Sequence, residues 1–301
     1  MSGQFNIRQL EAFYWIMRLG GFGMAAQKLG ATQPAVSARI KELEQSLGTS
    51  LFERGSKLLR PTASARTLYP LAAEVLSGVA RISNEISNNE TISGTVRIGM
   101  GEIVALSWFP SFLARLKATY PAVQLDIHMD VTTNLHRMLE EGRIDLALVS
   151  TPGSASFHAE SVGSTPLRWM ASPSLVGSST QLTPEELGTF PIYSLHRNSN
   201  LHGRMLKWFR GHGVRPSLVH TCNSLSVIIR LLQIGCGVAL VPPILVREEL
   251  QRGSLQIVAP HTKGDATEFF LVRYQDVIDP TILKMAEMAL QTTVFGANSS
   301  N

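Results

Sequence analysis

Apolar positions in the first fifty residues recur at helical spacing in three short runs. Ile7, Leu10, Phe13, Tyr14 and Met17 make a broad stripe of period 3.6. Asn6 with Gln9 at N3 reads as a capping box, and Phe5 and Leu10 fall at the staple positions. Gly20-Gly21 closes this run. A second run, Phe22 to Leu29, carries Ala25 and Ala26, which allow a neighbour to approach closely, and stops at Gly30. The third is organised by Val36, Ile40, Leu43 and Leu47. Thr32 is its N-cap, Pro34 sits in the first turn where a missing N–H costs nothing, and Gly48 ends it. Two short helices joined by a tight Gly-containing turn have helix-turn-helix spacing. Leu51-Phe52 and Leu58-Leu59 then bracket Gly55-Ser56, the pattern of a small two-stranded wing.

From Thr62 the period changes. Leu68, Val75 and Ile82 recur at sevens, as do Ala72, Val79 and Ile86, and the two series alternate by three and four. That is a coiled-coil seam on one long helix ending near Asn88, with Pro70 expected to kink it. A helix packed against its own chain is the competing reading. NNETISG, Asn88 to Gly94, reads as a polar hinge.

Beyond Thr95, short strand-like and helix-like runs alternate. Strands fit 96–100, 123–129, 145–150, 167–172, 190–194, 217–221, 237–241, 255–258 and 268–274. Helices fit Trp108 to Ala118, Thr133 to Glu141, Leu201 to Arg210, Leu225 to Ile234, Ile244 to Arg252 and Pro280 to Thr292. Such βαβ alternation predicts mostly parallel sheets covered by helices.

Charge sharpens this picture. The chain has 301 residues and a formal net charge of +4. Residues 1–62 hold eight Lys/Arg against four acids, so the whole excess lies in the first fifth and the remainder is neutral. A basic head on a neutral body suits a polyanion. The third helix supports this. At about 100° per residue, Pro34, Ala38 and Lys41 face away from the apolar stripe, with Ser37 and Arg39 on its flanks. Gln33 projects from the N-terminal end. Gln pairs with an adenine edge, Ser reaches a base or a phosphate, and Ala touches a thymine methyl. An ordinary amphipathic surface helix gives the same pattern. Arg54, Lys57 and Arg60 surround the wing tip, where they meet phosphate or the minor groove, or decorate a solvated turn.

Two cysteines give no disulfide framework, and the N-terminus shows no signal peptide; a reducing cytoplasm is expected, with no membrane span. No constellation argues for catalysis, so neither an enzyme nor a cofactor is expected. The eight His are scattered without metal-ligand spacing, and there is neither a phosphate loop nor a Gly-x-Ser-x-Gly elbow. Glu140-Glu141 and Glu185-Glu186 read as solvated helix faces.

The N-terminal residues resemble those of the LysR-type bacterial transcription regulators. Phe13, Ala25-Ala26, Leu29, Gln33-Pro34-Ala35-Val36-Ser37, Ile40, Leu43-Glu44, Leu47-Gly48, Leu51-Phe52-Glu53-Arg54 and Thr62 carry the likeness over more than fifty residues. Departures are Gly21 in place of a Ser N-cap, Ser64-Ala65 after the wing, and Ala38 where a longer polar residue is common. The likeness continues through GRIDLALVS, Gly235-Cys236-Gly237-Val238 and Val241-Pro242. It implies a winged helix-turn-helix (1–62), a linker and dimerisation helix (63–90), and an α/β effector-binding body (94–301). That body would hold two Rossmann-like subdomains, as in periplasmic binding proteins: 94–162 with 267–301, and 163–266, with the chain crossing near Gly163 and Lys263. The implied partners are double-stranded DNA, a small-molecule effector, further copies of the chain in a dimer and a homotetramer, and RNA polymerase as a candidate. Cys222 and Cys236 are similar in number to the cysteines of peroxide-sensing members; a buried pair of small hydrophobes is the simpler reading.

Ligands of such sheets bind at the carboxyl ends of strands, beside helix N-termini. Gly101, Glu102 and Ile103, then Thr132, Ser150, Asn198, Ser199, Asn200 and Asn223, fit that role. Where carboxylate-binding members of the family often have Ser or Thr, this chain has Ile103 beside Glu102. The expected ligand is amphipathic, with a polar end at Thr132, which would also cap its helix, and an apolar end near Ile103. In the alternative, Glu102 faces solvent and Ile103 the core.

Overall fold

The computed structural model describes residues 5–53, 59–86, 92–178, 181–259, 266–275, 277 and 279–296. The N-terminal unit packs α1 (Ile7–Leu19), α2 (Phe22–Lys28) and α3 (Gln33–Leu47) around Phe13, Ile16, Ala25, Val36, Ile40 and Leu43, all buried. The capping box forms: Gln9 N donates to Asn6 Oδ1 at 3.1 Å and Asn6 N to Gln9 Oε1 at 2.9 Å. Phe5 and Ile7 remain exposed. Gly48 takes φ 66°, the left-handed cap that a β-carbon disfavours. The stems of the wing meet through a Phe52–Pro61 bridge, and Glu44 anchors it by accepting from Leu51 N at 2.7 Å and Phe52 N at 3.3 Å.

The long helix is α4 (Ala63–Ile86), with Pro70 inside it. Its Ala65 and Ala72 join the N-terminal core, and Ala73 and Leu76 pack on Tyr14. Leu71, Val75 and Ile82 are exposed on the opposite side. One expected seam series is therefore corrected: Ala72 belongs to the head's core, and Leu71 takes the outward place that periodicity alone assigned to it.

Next come β1 (Gly94–Met100), α5 (Glu102–Ser107), α6 (Phe109–Thr119), β2 (Val123–Met129), α7 (Thr132–Glu140), β3 (Leu146–Val149) and β4 (Phe157–Pro166). The second lobe follows with β5 (Arg168–Ala171), α8 (Pro173–Val176), α9 (Pro184–Thr189), β6 (Pro191–Leu195), α10 (Asn200–Gly211) and β7 (Leu218–Cys222). It continues through α11 (Leu225–Gln233), β8 (Ala239–Val241), α12 (Arg247–Arg252) and β9 (Gln256–Ile257). The chain then returns through β10 (Ala266–Tyr274) and α13 (Pro280–Thr292).

The first-lobe sheet has order β2-β1-β3-β10-β4. Its first three strands are parallel, while β10 runs antiparallel to both neighbours. In the second lobe β6 and β7 are parallel, but β8-β5-β9 is antiparallel. The expectation of mostly parallel sheets is thus corrected to mixed ones. β4 is the reason: its sequence FHAESVGSTP lacks an apolar run, yet it pairs along the whole of β10. The chain enters the second sheet just beyond Gly163; Lys263 lies outside the described residues. The expected helix from Ile244 to Arg252 is a 3-10 turn at Pro243–Leu245 followed by α12. At Gly237 a β-carbon would collide with Pro191 O, so this turn admits no side chain.

Candidate functional site

Two regions gather the residues singled out in the sequence. On α3, Thr32, Gln33, Pro34, Ser37, Ala38 and Lys41 are exposed and Arg39 is half-buried, while Val36, Ile40 and Leu43 hold the helix down. Thr32 Oγ1 accepts from Ala35 N at 3.4 Å, a long cap bond. The first two turns present no acid outward. Arg60 is exposed at the wing's base, its O accepting from Glu53 N at 2.9 Å. Arg54 and Lys57 lie outside the described residues.

The second region is a cavity of about 410 Å³ between the lobes. Gly101, Glu102, Ile103, Thr132 and Ser150 line it from the first lobe, and Ser199, Asn200 and Asn223 from the second. Asn198 is exposed and not part of the lining. Thr132 does not cap α7; Val131 is the N-cap, and Thr132 Oγ1 bonds Ser150 Oγ at 2.9 Å and accepts from Ser150 N at 3.2 Å. The helix cap is corrected because β3 ends close enough for Ser150 to claim that hydroxyl. Ile103 is buried and also faces the cavity. Glu102 is turned neither to solvent nor into open cleft: it accepts from Leu225 N, Ser226 N and two serine hydroxyls at the start of α11.

Sequence reasoning missed Asp130, Thr267 and Phe269 in the lining, whereas His196 falls within the Leu195 to Asn200 segment that the strand-end rule picks out. Asp130 directly follows β2 and was within reach of the same rule. Thr267 and Phe269 come from β10, more than a hundred residues from the other first-lobe residues, and the pairing of β10 with β3, whose end lines the cavity, brings them in. Next to the cavity, His202 is buried with Nδ1 3.1 Å from Ser194 Oγ. Burial pushes its imidazole below the ordinary histidine range. Cys222 and Cys236 are half-buried free thiols, which corrects the expectation of a buried pair.

The two regions are joined. Arg97 forks onto Asp145, with Nη2–Oδ1 at 2.7 Å and Nε–Oδ2 at 3.1 Å. Lys28 of α2 approaches the same carboxylate at 3.7 Å. Burial alone would push Asp145 up, but the hydrogen bonds and charge of Arg97 and the charge of Lys28 hold it below the usual carboxylate range. Arg18 of α1 lies 4.9 Å from the Trp15 ring centre and 4.6 Å from that of Tyr274.

A helix-turn-helix with a wing, a long helix with an exposed apolar stripe, and a two-lobed body around a cavity define a ligand-responsive DNA-binding regulator. The family model "Bacterial regulatory helix-turn-helix protein, lysR family" matches residues 7–66, and "LysR substrate binding domain" matches residues 89–293. The chain belongs to the LysR family of transcription regulators. It is 27% identical over 269 residues to the HTH-type transcriptional regulator CzcR of Bacillus cereus, covering 89% of this chain and 91% of that one. Among solved structures it is similar to ArgP from Mycobacterium tuberculosis (TM-score 0.68, 21% identity, 98% and 100% of the two chains). Full-length OxyR from Pseudomonas aeruginosa is also similar (TM-score 0.66, 18% identity, 97% and 96%).

Proposed function

We propose that residues 1–62 read an operator through α3, that 63–90 pair two chains, and that 94–301 bind the effector between subdomains 94–162 with 267–301 and 163–266. Gln33, Ser37 and Ala38 take base edges, while Thr32, Arg39, Lys41, Arg54, Lys57 and Arg60 hold phosphates, with Pro34 setting the helix start against the backbone. Pairing through Leu71, Val75 and Ile82 gives a two-fold dimer matched to half-sites, and two dimers give a homotetramer that can present DNA to RNA polymerase. The protein works in the cytoplasm and performs no reaction of its own. No helix among the described residues is long and apolar enough to cross a membrane.

The observation that carries this reading is the exposed polar face of α3 above a buried apolar stripe. A mobility-shift assay with the neighbouring intergenic DNA tests it. Gln33→Ala and Ser37→Ala are each expected to cost about 1–3 kcal/mol at one base position. Lys41→Ala is expected to weaken all sequences alike and to flatten the salt dependence. An equal, sequence-independent loss in all three variants would overturn the division between base readers and phosphate anchors.

A further inference from the structure

The two lobes are joined at Glu102, the first residue of α5, whose side chain crosses to the start of α11. Its Oε2 accepts from Leu225 N at 2.5 Å, and its Oε1 accepts from Ser226 N at 3.0 Å, Ser226 Oγ at 2.9 Å and Ser224 Oγ at 3.1 Å. Hydrogen bonds to an ionised acceptor are the stronger kind, and the dipole at a helix start favours a negative charge there. Glu102 thus takes the first two N–H groups of α11, which have no partner within the helix. The next two stay local: Val227 N donates to Ser224 Oγ at 3.4 Å and Ile228 N to Ser224 O at 3.2 Å. The Ser224 hydroxyl therefore caps α11 and also donates its hydrogen to Glu102.

Both ends of this bridge are held by their own lobes. On the first, Gly101 N donates to Leu148 O of β3 at 3.4 Å, and Ile103 and Val104 are buried next to Glu102 in the chain. On the second, Leu225, Ile228, Ile229 and Leu232 bury one side of α11. A carboxylate bonded between two such elements constrains the lobes and not merely a loop. Elsewhere α5 packs on the second lobe's 3-10 turn, Pro243–Leu245. That turn is closed by its own bonds, from Leu245 N to Pro242 O and from Val246 N to Pro243 O, each at 3.1 Å.

We infer that Glu102 is a latch between the lobes, whose carboxylate fixes α11 against α5 and so sets the width of the cavity. Asn223 and Ser224, which line the cavity from the second lobe, immediately precede α11, so the latch also positions that wall. Every bonding group in the bridge belongs to the chain, and its formation needs no group from a ligand. Widening the cavity at this point means breaking four hydrogen bonds to one carboxylate.

The test reads the distance between the lobes in the full-length protein. Spin labels are carried by Arg137→Cys in α7 and Lys207→Cys in α10, both exposed positions on helices, after Cys222→Ser and Cys236→Ser remove the native thiols. Labelled chains are mixed with an excess of unlabelled ones, so that pulsed electron spin resonance reports the distance within one chain. With Glu102 in place a narrow distribution is expected. Glu102→Ala is expected to lengthen the mean by several ångströms and to broaden the distribution. Glu102→Leu, which keeps the bulk but accepts no hydrogen bond, takes its place if the alanine variant is unstable. Hydrogen exchange gives a second readout. Lost protection at residues 224–227 follows from the missing bonds themselves, whereas exchange about tenfold faster at Leu245 and Val246 reports separation of α5 from a turn that is closed by its own bonds. A longer distance in either variant supports the latch, and faster exchange at the turn supports it independently. An unchanged distance distribution, with exchange altered only at residues 224–227, overturns it and leaves Glu102 a local cap of α11.

Discussion

Asp145 meets three demands at one buried position. It satisfies the guanidinium and backbone N–H of Arg97, it balances Lys28, and it immediately precedes β3, the strand that ends at the cavity. A buried carboxylate is tolerated only because these partners outweigh its desolvation, and removing one member of such a set leaves the others uncompensated. Its folded pKa lies below the ordinary value, so the unfolded chain binds its proton first as pH falls. Its stabilisation is therefore complete above about pH 4 and is lost below it. His202 acts at higher pH with the same sign. Burial keeps it neutral while the unfolded chain protonates near pH ~6.5, so stability begins to fall below that point. Ser194 bonds the ring, and Arg197 and His196 also disfavour its charge. Asp145→Asn is expected to lose about 3 kcal/mol at pH 7 by chemical denaturation and to flatten the slope below about pH 4 only. A slope unchanged there would assign acid sensitivity to other carboxylates.

Among elements, those with a clean period were legible in the sequence and those defined by distant partners were not. Strand β2 and helix α13 fall where their patterns place them, since Val123–Met129 alternates and Pro280–Thr292 opens on a proline at N1. β4 escaped because its polar residues and Gly163 hide a strand whose identity comes from β10. The cavity residues contributed by β10 were missed for the same reason. In α4, heptad spacing marked a seam, yet two apolar stripes share that helix and spacing cannot say which one the head covers. Leu71, Val75 and Ile82 lie within about 40° of one another and face outward, whereas Ala72 is buried in the head. Val75→Asp is therefore expected to weaken dimerisation at least tenfold in sedimentation while head and body melt as before. Ala72→Asp puts a charge in the head's core and is expected to unfold that core first. Equal melting loss in both variants would place Val75 inside the monomer's own packing.

At the scale of the molecule, the question is how a cavity between two lobes reaches a helix that reads DNA. The described contacts supply a short route. Ser150 follows β3, whose four residues span about 13 Å, and Asp145 precedes it. From Asp145 the route passes to Lys28 at the end of α2, the helix packed on α3. A second tie runs from Arg18 of α1 to the face of Tyr274 in β10, the strand that carries Thr267 into the cavity. Both ties therefore rest on strands that border the interlobe cavity. A ligand that separates Thr132 from Ser150 acts on a strand whose far end holds the head. Tyr274→Ala removes one tie without touching the cavity lining or α3. A guanidinium over an aromatic face contributes about 0.5–1 kcal/mol when exposed and about 2 when desolvated. The variant is expected to speed hydrogen exchange several-fold in both α1 and α2, leaving α10 and α11 unchanged. Exchange that rises only around residue 274 would mean that head and body are held elsewhere, and the strand route would then carry no signal.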